Sequence, residues 1–153
     1  MTLKTRLQDD LKAAMKSGDK RRLAALRLTI AAIKNVETAE GRPTRGDLTD
    51  EEVMAVLSTE VKRRRDTIAE LEQVNRPDLL ADEKAELEAL LDYLPRQMSR
   101  EQIVEAARAV IAQVSATGPA QTGAVMKQLM AQLKGQADGK LVNEIVRELL
   151  AAR

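Results

Sequence analysis

The chain is almost free of aromatic side chains, and this feature restricts its fold more than any other. It contains no Phe, no Trp and a single tyrosine, Tyr93. Its apolar residues are Leu, Ala, Val, Ile and Met, and its polar ones are rich in Glu, Lys, Arg and Gln, a composition that favours helices over strands. Hydrophobic residues make up 44% of the 153 residues, which is enough to build a core. We therefore predict an all-α, multihelical protein.

The composition also excludes several kinds of chemistry. The chain has no His and no Cys, so it has no imidazole base, thiolate nucleophile, Cys/His metal site or disulfide. A single tyrosine cannot form the aromatic platform on which many RNA-binding modules stack bases. No phosphate-binding loop or dinucleotide fingerprint is present, and we predict neither a metal nor a cofactor. A nucleic acid would have to be bound through charge and shape.

Charge and hydropathy bear on location. The net charge is +1, which predicts neither a polyanion nor a membrane surface as a partner. No apolar run approaches the roughly 20 residues of a membrane span, and the first residues lack the apolar segment of a signal peptide. We predict a cytoplasmic protein with no membrane contact.

Apolar residues at spacings of three and four, cut by Gly and Pro, predict seven helices. In chain order, and with their predicted caps, these helices cover about residues 3–16, 19–39, 49–74, 78–93, 99–118, 123–134 and 139–152. Asp19 and Asp78 are the expected caps of the second and fourth helices. Thr49 with Glu52, and Ser99 with Gln102, predict capping boxes at the third and fifth.

A break is expected at Leu94-Pro95-Arg96-Gln97, where the helical pattern stops. It predicts an N-terminal four-helix, bundle-like domain over 1–97 and a C-terminal three-helix subdomain over 98–153. The small positive excess of the chain lies in the C-terminal part.

Charged residues fall on the predicted apolar faces of three helices, which is unusual. They are Arg27, Glu37, Glu60, Arg64 and Glu83. We expect these side chains to pair across the bundle and fix its register, because unpaired buried charge is costly. The alternative is a polar cavity in which Glu60 or Glu83, its pKa raised by burial, acts as a general acid or base. The other carboxylates of the fourth helix predict a solvated acidic face rather than a cation site.

Four cations in the C-terminal part could contact phosphates. Lys127 and Lys134 are seven residues apart, so they would share one face of the sixth helix, and Lys140 and Arg147 repeat this spacing on the seventh. A simple solvated face is the alternative. The stretch 118–123 could bring backbone N–H groups to the start of the sixth helix, where an anion would be favoured.

Several short motifs, in order over most of the chain, resemble the YqeY family of the GatB/YqeY group. They are Leu26-Arg27 with Glu37, Lys62-Arg63 to Asp66, Arg76-Pro77-Asp78-Leu79 with Glu83 and Glu86, Tyr93-Leu94-Pro95-Arg96-Gln97, Gly123-Ala124-Val125-Met126-Lys127, and Gly135-Gln136-Ala137-Asp138-Gly139. The site residues that the resemblance carries over are Lys127, a candidate phosphate contact, and the motif residues Gly123, Gly135, Asp138 and Gly139.

The resemblance implies two all-α subdomains and kinship with the C-terminal tail of the B subunit of the glutamine-dependent tRNA amidotransferase. In that family the tail contacts tRNA, while the catalytic domain and the source of ammonia lie elsewhere. It therefore implies the class of carbon-nitrogen ligases with glutamine as amido-N-donor, but this chain supplies no active site of its own. Two hypotheses follow: a tRNA-binding or amidotransferase-associated accessory module, or a protein-protein interaction module with no RNA contact.

Overall fold

The computed structural model describes residues 1–43 and 45–152. In these residues there are seven α-helices and no strand, which confirms the all-α prediction. The helices are α1 (Leu3–Ser17), α2 (Lys20–Glu37), α3 (Asp50–Gln73), α4 (Pro77–Leu91), α5 (Arg100–Gln113), α6 (Thr122–Gln132) and α7 (Gly139–Ala151). A short 3-10 helix, Pro119–Gln121, precedes α6.

Local signals place most of the helix starts. The Asp19 carboxylate accepts a hydrogen bond from the backbone N–H of Arg22 at the start of α2. Both predicted capping boxes form: the Thr49 hydroxyl accepts from the N–H of Glu52, and Ser99 and Gln102 repeat this at α5. These side chains satisfy backbone donors that the helix itself leaves without partners.

The predicted start of α4 and end of α5 are wrong. Arg76, not Asp78, occupies the cap position of α4, because Pro77 sits in the first turn, where its missing N–H costs nothing. The Asp78 carboxylate pairs instead with Arg76, 3.5 Å away. Helix α5 ends at Gln113, short of the predicted 118, and Ser115 then takes a left-handed conformation with φ 54°.

The chain divides into two compact units, unit 1 (Met1–Leu94) and unit 2 (Pro95–Arg153). Unit 1 contains α1 to α4, and α2 packs against each of the other three. Its core includes the fully buried side chains Leu7, Leu26, Ile33, Leu57 and Leu90. Burial of each such side chain stabilises the fold by about 1.5–3 kcal/mol.

Unit 2 contains α5, α6 and α7, which pack pairwise. Its core is separate and is built around the fully buried Ile103, Ile111, Leu129, Ile145 and Leu150. None of the described helices is long and apolar enough to cross a membrane.

Candidate nucleic-acid interface

Lys127 is the one charged residue of α6 and it is exposed. Val125 and Leu129, on the opposite side of this helix, are buried in the core of unit 2. The prediction that Lys134 shares a face of α6 with Lys127 is wrong, because α6 ends at Gln132 and Lys134 lies in the following turn. Gly135 follows it with φ 70°, a backbone conformation that an L side chain rarely adopts.

Lys140 and Arg147 both lie on α7, are exposed and are seven residues apart. At 100° per residue this spacing keeps them within about 20° of each other on the helix. Glu144 and Glu148 are exposed on the same side, and Arg100 of α5 reaches both, at 3.8 Å and 2.9 Å. The outward face of α7 therefore carries both signs of charge, with its carboxylates partly neutralised by α5.

The other motif residues of unit 2, Asp138, Gly139 and Gly123, differ in their structural roles. The Asp138 carboxylate caps α7 by accepting from the N–H of Lys140 at 3.4 Å. Gly139 places its Cα where an added Cβ would lie 3.9 Å from the Met130 methyl group, whereas the same atom on Gly123 would meet open space.

Two motifs distant in sequence meet in unit 2. The side-chain amide of Gln97 donates to the carbonyl oxygen of Gly135 at 2.6 Å, and the N–H of Met98 donates to the carbonyl of Gln136 at 2.8 Å. They border a cavity of about 510 Å³ that Arg96 and Glu105 also line. These bonds give the Leu94–Gln97 and Gly135–Gly139 motifs a shared structural role.

Part of the stretch before α6 has its backbone donors bonded within the chain. The side-chain oxygen of Gln121 accepts from the N–H groups of Thr117 at 2.6 Å and Gly118 at 3.1 Å. The N–H of Gly118 is therefore occupied within the chain, and an anion site at the start of α6 stays a prediction.

Arg64 is the buried charge at the contact between α3 and α4. Arg64 is 6% exposed. Its Nη1 lies 3.0 Å from a carboxylate oxygen of Glu86 and 3.5 Å from one of Glu83. Its Nε and Nη2 are buried and have no hydrogen-bond partner among the described residues. Burial raises the pKa of Glu86, although the nearby Arg64 opposes this shift.

The other four predicted buried charges differ from one another. Glu37 of α2 is bonded by Lys4 of α1 at 2.8 Å, and this hydrogen bond lowers the pKa of Glu37. Glu60 is 8% exposed, but its carboxylate pairs with Arg63 at 3.2 Å, within α3 and not across the bundle as predicted. Glu83, beside Arg64, is partly exposed.

The prediction that Arg27 is a buried charge is wrong. Arg27 is exposed, because the buried residues of α2 form a narrower face than the apolar pattern indicates. Leu26, Ile30 and Ile33 define that face, and Arg27 follows Leu26 by 100° on the helix.

Arg27 belongs to a row of cations that the sequence reasoning missed. Lys20, Arg27 and Lys34 follow one another at intervals of seven residues along α2, and all three are exposed. None of their side chains makes a hydrogen bond or ion pair within the described residues. The regular spacing was visible in the sequence and could have revealed the row.

Tyr93 lies in a charged cluster at the end of unit 1. Its hydroxyl donates to the Asp10 carboxylate at 2.5 Å and accepts from Arg22 at 3.0 Å. Arg6 lies over its ring, 4.8 Å from the centroid. With 5% of its surface exposed, this ring is part of the core and offers no face for a base.

Arginines of α2 pair with two carboxylates, one in α4 and one just after its end. Asp82 lies 2.9 Å from Arg21, and Asp92 lies 3.3 Å from Arg22. In the described part of the chain, no group of three or more acidic residues is arranged to hold a metal ion.

The fold and these surfaces define an all-helical protein of two compact units with exposed cations and with most of its inward charges held by partners. Residues 4–150 match the family model described as Yqey-like protein, and the chain belongs to this family. It is also similar to the altered inheritance of mitochondria protein 41, mitochondrial, of Lachancea thermotolerans, with 35% identity over 89 residues. This match covers 58% of the chain and 46% of the relative, so the chain spans about half the length of the curated protein it matches.

Proposed function

We propose that this protein is a tRNA-binding or tRNA-amidotransferase-associated accessory module without an active site of its own. The observation that carries the proposal is the exposure of Lys127, Lys140 and Arg147 in unit 2. The resemblance to the tail of the amidotransferase B subunit supports it. On this proposal the chain is linked to carbon-nitrogen ligases that use glutamine as amido-N-donor, but it positions RNA rather than running the reaction.

The charge pattern sets the expected strength of binding. On duplex DNA, each cation that neutralises a phosphate contributes about −0.9 to the slope of log K against log salt, and we take this value for the base-paired stems of tRNA. Three contacts therefore predict a slope of about −2.7 from unit 2, so binding would be weak and readily lost in salt. The carboxylates Glu144 and Glu148 weaken it further, although Arg100 offsets part of their charge.

A titration of labelled total tRNA at several salt concentrations tests this proposal. Replacing Lys127, Lys140 and Arg147 together with Ala is expected to weaken binding at low salt and to flatten the salt slope. A control that removes three exposed cations from other helices, Lys12, Lys16 and Lys62, changes net charge equally. Absence of binding by the unaltered protein, or equal losses in both triple variants, would contradict the proposal.

The second candidate is a protein-protein interaction module with no RNA contact. Apolar side chains at the turn between α3 and α4 favour it, because Val74 is 63% exposed and Leu79 is 40% exposed. An affinity purification with and without RNase separates the candidates. A partner that remains after RNase treatment, and that Val74→Ser with Leu79→Ser removes, supports this one.

The location of the protein is part of the same proposal. The similar protein of Lachancea thermotolerans is named as mitochondrial. The cytoplasmic location predicted from the sequence stays a prediction, and cell fractionation tests it.

A further inference from the structure

We propose that the cation row of α2, formed by Lys20, Arg27 and Lys34, is a second contact surface for the phosphate backbone of RNA. This inference rests on the proposal that the protein binds RNA, but it concerns unit 1, whereas the proposed function rests on unit 2. The row itself consists of three exposed cations.

The first argument is geometric. Seven residues advance a helix by about 10.5 Å and turn it to within about 20° of the starting direction. Lys20 and Lys34 therefore span about 21 Å with Arg27 between them, in a nearly straight row. A straight row of cations suits a backbone that carries charge at regular intervals.

The second argument is the charge balance of the helix. From Lys20 to Val36, α2 contains five cations and no acidic residue. Two of the five have assigned partners, since Arg21 pairs with Asp82, and Arg22 pairs with Asp92 and bonds to Tyr93. The three remaining cations form the row, and the acid at the end of the helix, Glu37, is bonded to Lys4.

The third argument concerns the residues beside the row. Ala24 and Ala31 lie between the row and Leu28 on the helical wheel, and Ala31 is exposed. Such short side chains allow a backbone to approach the helix closely. An interfacial membrane helix would place exposed bulky apolar residues on both sides of the row. On one side Leu23 is partly buried against the core of unit 1, and on the other Leu28 is exposed. The surface therefore fits RNA better than a lipid surface.

The fourth argument is that the fold does not need these side chains. They lie away from the buried face formed by Ala25, Leu26, Thr29, Ile30 and Ile33. Alanine also has the highest helix propensity of all residues. A variant with Ala at all three positions should therefore keep its helix content and its thermal midpoint.

The test measures binding of the full-length protein to labelled total tRNA over a salt series. The unaltered protein is compared with the triple variant Lys20→Ala, Arg27→Ala, Lys34→Ala and with the control variant Lys12→Ala, Lys16→Ala, Lys62→Ala. Loss of three phosphate contacts is expected to make the salt slope less steep by about 2.7. Raising the salt concentration from 50 to 200 mM should weaken tRNA binding by both variants, and the fold-loss of affinity should be about 40 times smaller for the row variant than for the control.

Further arms separate the possible failures. If the row variant binds like the control while the unit 2 variant at Lys127, Lys140 and Arg147 loses affinity, this inference is overturned and the proposed function stands. If the unaltered protein binds no tRNA at 50 mM salt, both fail. Row-dependent binding to vesicles of phosphatidylserine and phosphatidylcholine, with no row-dependent binding to tRNA, also overturns the inference.

Discussion

At the scale of single residues, burial and hydrogen bonding change what a side chain can do. Tyr93 is the sole aromatic residue, and its sequence context says nothing about its surroundings. In the fold it is 5% exposed and its hydroxyl donates to Asp10. Burial, together with this hydrogen bond, raises the pKa of Tyr93 to about 12, although Arg22 opposes the shift. The residue is therefore a built-in reporter of the packing of unit 1.

The first prediction concerns the titration of this tyrosine. Its phenolate is expected to form with a midpoint near pH 12 in the folded protein and near about pH 10 in urea. Because the pKa of Tyr93 is raised in the folded state, the contribution of Tyr93 to the free energy of unfolding is fully present below about pH 10. It is lost as the pH rises toward 12. Ultraviolet absorbance of the phenolate measures both midpoints without interference from Trp. Circular dichroism at each pH shows whether the fold persists, and equal midpoints in both states would contradict the prediction.

At the scale of helices, the contact between α3 and α4 depends on a charge that is incompletely satisfied. A Glu86 carboxylate oxygen lies 3.0 Å from Nη1 of Arg64, yet two other buried nitrogens of Arg64 have no partner within the described residues. Burial raises the pKa of Glu86, so holding its charged form inside the contact costs free energy. Buried ion pairs often stabilise a fold less than apolar residues of similar volume would.

The second prediction follows from this balance. Glu86→Leu alone is expected to lower the free energy of unfolding by about 1–3 kcal/mol, because it removes the nearest acceptor from a buried guanidinium. The double change Arg64→Met, Glu86→Leu should restore that free energy to the original value or above it. Urea unfolding of the two variants and of the unaltered protein measures the difference. A double variant clearly less stable than the unaltered protein would contradict the prediction and show that the charged pair stabilises the contact.

The same helices show which features a sequence can reveal. Local signals decide helix starts, so Asp19, Thr49 and Ser99 were identified as caps from neighbouring residues alone. Asp78 was misassigned because a proline in the first turn permits the preceding residue to cap without a side-chain bond. Partners that come from other helices, such as Lys4 for Glu37, depend on packing and leave no local signal.

For the candidate surfaces, too, the sequence predicts some features and misses others. The apolar pattern of α2 predicts Arg27 as a buried charge at the edge of the apolar face, but Arg27 is exposed, because such a pattern marks the edges of a buried face only coarsely. Lys134 was assigned to α6 because a spacing of seven is informative only while the helix continues, and α6 ends at Gln132. Lys127, Lys140 and Arg147 were expected on exposed helix faces, and the structure places them there. Whether they bind RNA stays a prediction.

At the scale of the whole molecule, each unit has its own hydrophobic core. The core of unit 1 is drawn from α1 to α4 with Leu48 and Tyr93, and that of unit 2 from residues after Pro95. The structural division falls between Leu94 and Pro95, whereas the sequence predicted a boundary after Gln97. The difference matters because the Gln97 side chain donates to the Gly135 carbonyl at 2.6 Å, which ties it to unit 2.

The third prediction compares fragments cut at the two boundaries. We expect 95–153 to fold alone as a helical unit, because its core is complete, though with the modest stability of a domain of about 60 residues. Fragment 98–153 keeps the bond from Met98 to Gln136 but loses Gln97, so its free energy of unfolding should be lower by about 1 kcal/mol. Far-ultraviolet circular dichroism and urea unfolding measure both.

A matched change in the longer fragment separates the hydrogen bond from chain length. Gln97→Ala in 95–153 removes the donor to Gly135 and leaves Pro95 and Arg96 in place. If this variant is as unstable as 98–153, the Gln97 side chain accounts for the loss. If 95–153 and 98–153 are equally stable, Gln97 does not belong to the folded unit. The boundary would then lie where the sequence pattern alone placed it.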